Sequence, residues 1–153
     1  MTGKPRILVV DDDETIRESV SALLEDAGYS ADTAQDGKEA INKSRENFYN
    51  LALIDIRLPD MEGVELLTAM KETMPRLVKI IITGYPSMGT AIDAVNKGAD
   101  GYLVKPFKNQ ELLDKIDEHL KKQEEAMRYS EEKVAEYVQT RASELESAMK
   151  KQP

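Results

Sequence analysis

The chain contains no cysteine, no tryptophan and a single histidine, His119. The first absence excludes disulfides, thiol chemistry and cysteine-based zinc sites. One imidazole supports neither a histidine-based catalytic triad nor a multi-histidine metal centre. Apolar runs are short, far from the ~20 residues that span a bilayer, and the first residues, Met1 to Pro5, carry no apolar signal-peptide core. A cytoplasmic protein without membrane contact is therefore expected. Positive charge is also scarce: 21 Lys and Arg stand against 29 Asp and Glu, a net charge of −8 over 153 residues. With no basic concentration anywhere, direct nucleic-acid binding is not expected. The available chemistry is that of carboxylates, lysine, threonine and a hard metal ion.

What is present is an alternation of two patterns. Arg6–Val10 is a β-branched run, too short for a helix and apolar on both faces, and reads as a buried strand. A helix is expected from Glu14 to Ala27, with Ile16, Val20, Leu23 and Leu24 at helical spacing and Gly28 as its stop. Ser30–Ala34 is a weak strand, and a helix from Asp36 to Asn47 opens on Asp36 as N-cap. Leu51–Ile54 is another buried strand, followed by a helix over Val64–Thr73 that closes before Pro75. Lys79–Thr83 and Gly101–Val104 complete five strands, with helices at about Ser87–Lys97 and from Asn109 onward. Buried strands alternating with crossover helices predict a parallel sheet in a three-layer α/β sandwich.

In such a sheet the strands point one way, and ligands gather beyond their C-terminal ends. The first strand runs into Asp11-Asp12-Asp13-Glu14 and the third into Asp55-Ile56-Arg57. The fourth ends at Thr83-Gly84, and Lys105-Pro106-Phe107 follow the fifth. Each residue alone has an ordinary reading as helix cap, turn or surface side chain. Together they bring three carboxylates, a hydroxyl and an ammonium to one edge. Clustered carboxylates repel unless one takes a proton or a cation intervenes. Mg²⁺ suits this donor set, binding through one or two carboxylates, water and a phosphate oxygen. Lys105 supplies a point charge for a phosphate. The constellation predicts a Mg²⁺-assisted phosphoryl site with one aspartate as acceptor.

The segments Ile7–Asp13, Leu53–Gly63, Ile80–Gly84 and Gly98–Phe107, in this order and spacing, resemble the receiver domain of bacterial-type response regulators in two-component signalling. The resemblance covers roughly residues 5–122. It implies a flavodoxin-like, doubly wound five-stranded sheet of order 2-1-3-4-5 with five helices, the last one extended. It also implies that Asp55 is the phosphoacceptor. Asp11, Asp12, Asp55 and the backbone carbonyl of Arg57 would hold Mg²⁺ or Mn²⁺, with Asp12 the direct ligand and Asp11 acting mainly through water. Thr83, Gly84 and Lys105 would bind the phosphoryl group, and Thr83 and Tyr102 would form the switch. Lys105-Pro106 resembles the family's cis-peptide. Arg57 and Tyr85 occupy positions that tune acyl-phosphate lifetime in the family. The implied partners are a sensor histidine kinase or phosphotransfer protein, and an output domain or effector. Such a chain is not a true enzyme, because it catalyses only its own phosphorylation and dephosphorylation.

A rival reading comes from Asp11-Asp12-Asp13-Glu14-Thr15, which also fits the D-x-D-x-T pattern of haloacid-dehalogenase-type phosphatases. Asp11 would then be the nucleophile and Asp13 the general acid, with Thr83 and Lys105 binding phosphate. That family needs a further acidic pair at a strand end after the lysine. Asp114 and Asp117 fall inside the last helix instead, and the Asp55 loop goes unexplained.

Residues 1–122 are thus expected to form the receiver, and 123–153 a helical extension that is either a coiled-coil stalk or a linker to an output domain. Residues 121–153 carry seven basic and seven acidic side chains and no glycine or proline before Pro153, a helix-forming composition. Leu113, Leu120, Met127 and Val134 recur every seven residues, with Ile116 and Tyr137 as companions. The phase then slips to Val138, Ala142, Leu145 and Met149, and Gln123 and Ser130 weaken the seam. A homodimer through this helix and a plain solvated extension are both compatible with the pattern.

Overall fold

A computed structural model describes residues 3–151; residues 1, 2, 152 and 153, the outer ends of the two expected segments, lie outside it. The elements are β1 (Arg6–Val10), α1 (Glu14–Asp26), β2 (Ser30–Ala34), α2 (Gly37–Glu46), β3 (Leu51–Asp55), α3 (Gly63–Ala69), β4 (Val78–Thr83), α4 (Met88–Asn96), β5 (Gly101–Val104) and α5 (Asn109–Lys150). The five strands pair in parallel in the order β2-β1-β3-β4-β5. This is the flavodoxin-like arrangement the family resemblance implied.

Side chains along each strand alternate between two cores, as the period of two requires. Leu8, Val10, Ala52, Ile54 and Ile81 pack under α2, α3 and α4. Ile7, Val9, Leu51, Leu53, Ile80 and Ile82 pack under α1 and α5. Asp13 caps α1 by accepting from the N–H groups of Thr15 and Ile16, and Asp36 caps α2 by accepting from Glu39 N–H. Gly28 and Gly98 lie just past α1 and α4 at φ of 98° and 100°, where the absence of a Cβ lets the chain turn out of the helix.

One helix is shorter than its sequence suggested. α3 ends at Ala69 instead of continuing to Thr73, and Lys79 supplies the reason. Its ammonium, only 3% exposed overall, donates to the Leu67 carbonyl at 2.6 Å. A continuing helix would have given that carbonyl the Lys71 N–H, which donates instead to Ser44 Oγ at 3.3 Å. A cation at the carbonyl end of a helix is also favoured by the helix dipole.

α5 differs from the other helices in length, with 42 residues in one unbroken run. Leu112, Ile116 and Gln123 are buried against the body, Met127 is half-buried, and every residue from Arg128 to Lys150 is exposed. At 1.5 Å per residue this free part projects about 35 Å. Gln123, read in sequence as a weak point in an apolar seam, is instead a buried anchor. Its Nε2 donates to the carbonyls of Asn50 (2.9 Å) and Arg76 (2.8 Å), and its Oε1 accepts from Asn50 Nδ2 at 3.2 Å. Asn50 in turn accepts from Arg6 N–H through Oδ1. The starts of β1, β3 and β4 are thereby tied to α5. His119 is half-buried and faces Gly101, and burial pushes its imidazole below the usual histidine range.

Candidate functional site

β1 and β3 are neighbours, so Asp11 and Asp55, each leaving the end of its strand, arrive side by side. β5 lies two places further along the sheet, and Lys105 reaches back across β4 to both acids. Its Nζ stands 3.1 Å from Asp55 Oδ2 and 3.2 Å from Asp11 Oδ2. The Lys105–Pro106 peptide is cis, as is Met74–Pro75.

Each carboxylate has one oxygen fixed and one turned toward the shared space. Asp55 Oδ1 accepts from Arg57 N–H at 2.9 Å, and Asp11 Oδ1 accepts from Asp13 N–H at 2.9 Å. Arg17 further secures the first loop by donating to the Asp11 carbonyl at 2.8 Å. Asp11 is buried, Asp55 half-buried and Asp12 exposed, and an oxygen of each lies within 4.8 Å of the others.

This grouping perturbs the charges in it. Burial pushes the Asp11 carboxyl above the usual carboxylate range, with the Asp55 charge adding to the rise; the Asp13 N–H and the Lys105 ammonium oppose it incompletely. Burial alone would lower Lys105, but its bond to Asp55 and the charges of Asp11 and Asp55 outweigh that and hold the ammonium above its ordinary value. The site thus keeps a firm cation and an acidic group that is uncomfortable without another one.

The three carboxylates fit a small hard cation. With an oxygen of each within 4.8 Å of the others, one Mg²⁺ could be shared among them, partly through the waters it ordinarily keeps. An all-oxygen donor set without sulfur or imidazole suits Mg²⁺ or Mn²⁺ over zinc.

Asp12, Asp55, Arg57, Gly84, Tyr85 and Lys105 line a cleft of about 240 Å³ at this edge. The Arg57 guanidinium lies 4.1 Å over the Tyr85 ring, a stacked pair at the mouth. A Cβ on Gly84 would come no closer than 4.0 Å to Lys105 Cβ, so the glycine leaves that wall open. Thr83 is fully buried at the end of β4, and its Oγ1 accepts from Tyr85 N–H at 3.0 Å. Tyr102 does not reach the cleft. It packs among the core residues under α2–α4, and among the described residues its hydroxyl is buried with no hydrogen-bond partner. Such a group costs about 1–3 kcal/mol. Asp13 is also outside the cleft, since its carboxylate caps α1; the general acid of the phosphatase reading is therefore missing.

Two positioning residues escaped the sequence reading. Gly63 N–H donates to the Ile56 carbonyl at 2.7 Å. A Cβ there would lie 2.4 Å from the Asp55 carbonyl and 2.8 Å from Ile56 Cα, so only glycine lets α3 begin this close behind Asp55. Asp60 accepts from the N–H groups of Gly37 and Lys38 at 2.9 Å each, fastening the loop after Asp55 to the start of α2. Glycine and aspartate in a loop carry no signal of this kind, because both contacts depend on the packing of distant elements.

A family model described as response regulator receiver domain matches residues 7–117. Among curated proteins, the chain is 40% identical over 114 residues to the transcriptional regulatory protein ZraR of Klebsiella oxytoca, covering 74% of this chain and 26% of that protein. It is 37% identical over 111 residues to the response regulator MprA of Mycobacterium sp. (strain KMS), covering 72% and 48%. The chain thus spans a quarter to a half of the length of these relatives. Among solved structures, a CheY-like receiver domain protein from Methanospirillum hungatei JF-1 superposes with a TM-score of 0.77 at 44% identity, covering 81% of this chain and 99% of that one. The beryllofluoride-activated receiver domain dimer of NtrC4 gives 0.72 at 42% identity, covering 77% and 98%.

Proposed function

The chain belongs to the response regulator receiver domain family, and from that premise we propose that it is a switch that accepts a phosphoryl group on Asp55. The observation that carries this reading is the state of the Asp55 carboxylate. Oδ1 is held by Arg57 N–H, while Oδ2 faces the Lys105 ammonium beside a second acid. Oδ2 is the nucleophile. It attacks the phosphorus of a phosphohistidine on a sensor histidine kinase or phosphotransfer protein. The P–N bond breaks, and the departing imidazole keeps the electron pair and takes a proton from water.

There is little covalent work for the protein to do, and its contribution is positioning and charge neutralisation. Lys105 moves from the carboxylate to an equatorial phosphoryl oxygen. Asp11, Asp12, Asp55 and the Arg57 carbonyl would hold Mg²⁺, or Mn²⁺, which when bound would offset the negative charge on the transferring group. Thr83 donates its hydroxyl proton to another phosphoryl oxygen, and the N–H of Gly84 lies on the open wall of the cleft.

The readout runs through Thr83 and Tyr102. As Thr83 swings toward the phosphoryl group, the Tyr102 side chain follows into the space it leaves, which changes the surface formed by α4, β5 and α5. Driving such an equilibrium from mostly off to mostly on takes about 5.5 kcal/mol of differential stabilisation. The surface then acts on an output domain or effector protein. ZraR is a transcriptional regulator by name, whereas the receiver family model matches residues 7–117 here and α5 continues past it to Lys150. With 21 Lys and Arg against 29 Asp and Glu, the net charge of this chain does not favour direct contact with DNA. Among the described residues no helix is long and apolar enough to cross a membrane, and a cytoplasmic location goes with this role.

Acetyl phosphate with Mg²⁺ should add one phosphoryl group, read by intact mass, and Asp55→Asn should abolish the addition. Labelling that persists in Asp55→Asn would refute the acceptor assignment. Steady hydrolysis of an added phosphate ester would revive the phosphatase reading.

A further inference from the structure

α5 carries a mainly apolar stripe, interrupted by Gln123 and Glu131, and its two halves have different surroundings. On the body, Leu112, Ile116 and Gln123 are buried and Leu120 and Met127 half-buried. Beyond it the same rhythm continues through Glu131, Val134, Val138, Ala142, Leu145 and Met149. The steps are four, four and three residues, an eleven-residue repeat. At about 3.67 residues per turn such a stripe drifts only about 20° per repeat along a straight helix. The slip at Val138 in the seven-residue reading disappears. The distal stripe therefore lies on the side of α5 that faces the body, with Val134, Val138, Leu145 and Met149 exposed by 62, 58, 62 and 72%.

We propose that this distal stripe pairs with the same stripe of a second copy of the chain, antiparallel, about a two-fold axis at Val138. The shape of the protomer decides the polarity. Packed helices lie 8–10 Å apart. In a parallel pair, the partner's α5 would run from the stalk straight into the space where the sheet already sits against Leu112, Ile116 and Gln123. In an antiparallel pair the partner's body lies at the far end, on the opposite side, and nothing collides.

The side chains agree. About Val138, Met127 faces the partner's Met149 and Val134 faces the partner's Ala142, a large residue against a small one, while Glu131 faces the partner's Leu145 with its carboxylate at the edge of the seam. On the flanks, Arg128 stands about 3 Å along the axis from the partner's Glu146 and Lys133 about 1.5 Å from the partner's Glu144, opposite charges within reach of each other. The root of the stalk also offers a seat. Pro75 and Met127 line a cleft beside Glu124 and Glu131, with Met74 next to it and 81% exposed. The partner's Met149 and its basic last turn would fill this cleft. The stalk balances to zero charge while the body carries the whole excess of −8, and antiparallel pairing keeps the two acidic bodies about 35 Å apart along the axis.

The inference does not depend on the phosphoacceptor reading, and it is tested on the full chain without a phosphodonor. Sedimentation velocity should show a dimer. The chain has no cysteine, so single thiols can be placed cleanly. Under mild oxidation, Val134→Cys and Ala142→Cys should each stay largely uncrosslinked alone. Their equimolar mixture should give the mixed disulfide, because like positions sit about 12 Å apart along an antiparallel pair. Arg128→Glu should weaken association at least fivefold, and Glu146→Arg in the same chain should restore it. A monomer, a dimer in which each thiol links to its own copy, or a dimer that gives no mixed disulfide would overturn the proposal.

Discussion

Gln123→Ala is the most informative single substitution for how the long helix is held. The side chain makes three hydrogen bonds in a site 9% exposed, two of them to main-chain carbonyls at the starts of β3 and β4. Each is worth about 1 kcal/mol net. The Asn50 carbonyl keeps the Val78 N–H at 3.1 Å, which limits the damage there, but the Arg76 carbonyl loses its glutamine donor. Loss of about 3 kcal/mol follows, and water entering the gap would recover only part of it. Urea titration should show a lower midpoint with an unchanged slope. The melting temperature should fall by about 9 °C, at roughly 3 °C per kcal/mol for a chain of this size. Hydrogen exchange should quicken over residues 112–127 while the already exposed stalk changes little. Ser130→Ala, on the exposed part of the same helix, should move stability by less than about 0.5 kcal/mol. A Gln123→Ala cost below about 1 kcal/mol would show that α5 is held by Leu112 and Ile116 alone.

Three further outcomes follow from the site and its frame. Mg²⁺ at a hundred times its dissociation constant should stabilise the chain by about 2.7 kcal/mol, seen as a rise in melting temperature, and Asp12→Asn should remove most of that response; an unchanged response would take Asp12 out of the metal site. Gly63→Ala should lower stability by about 2 kcal/mol or more, since its Cβ meets immovable backbone, and should slow labelling by acetyl phosphate; full-rate labelling would show that the Asp55 loop tolerates displacement. Burial alone would raise the Asp32 carboxyl, but hydrogen bonds from Tyr49 and Arg6 outweigh it and hold it below its ordinary 3.8. Its contribution is therefore complete above that value and lost as pH falls through the lower, folded one. Tyr49→Phe should cost about 1 kcal/mol near neutral pH, given partial exposure, and urea midpoints of the two proteins should converge in strong acid; a gap independent of pH would assign the loss to packing.

The fold was legible because its main signals are local. Apolar runs of four to six residues bounded by Asp, Gly and Pro have little choice but to be buried strands, and the caps Asp13 and Asp36 and the stops Gly28 and Gly98 act within a turn of their own positions. The acids at the ends of β1 and β3 were legible for a related reason. Once strands are parallel, their C-terminal residues share an edge, and the chain order of Asp11, Asp55, Thr83 and Lys105 already fixes who can meet there. α3 was misjudged because its end is set by Lys79, which belongs to another element and takes a carbonyl the helix would have used.

By itself, then, the amino-acid order determined which segments are strands and helices and which charged groups stand together at the carboxyl edge of the sheet. Tertiary structure alone decided that Gln123 is an anchor and not a flaw, that Gly63 must be glycine, that Tyr102 packs against the core with its hydroxyl unpartnered among the described residues, and which side of the long helix is left bare. Those properties depend on what distant parts of the chain bring within a few ångström, and a side chain's meaning there is set by the partner it finds.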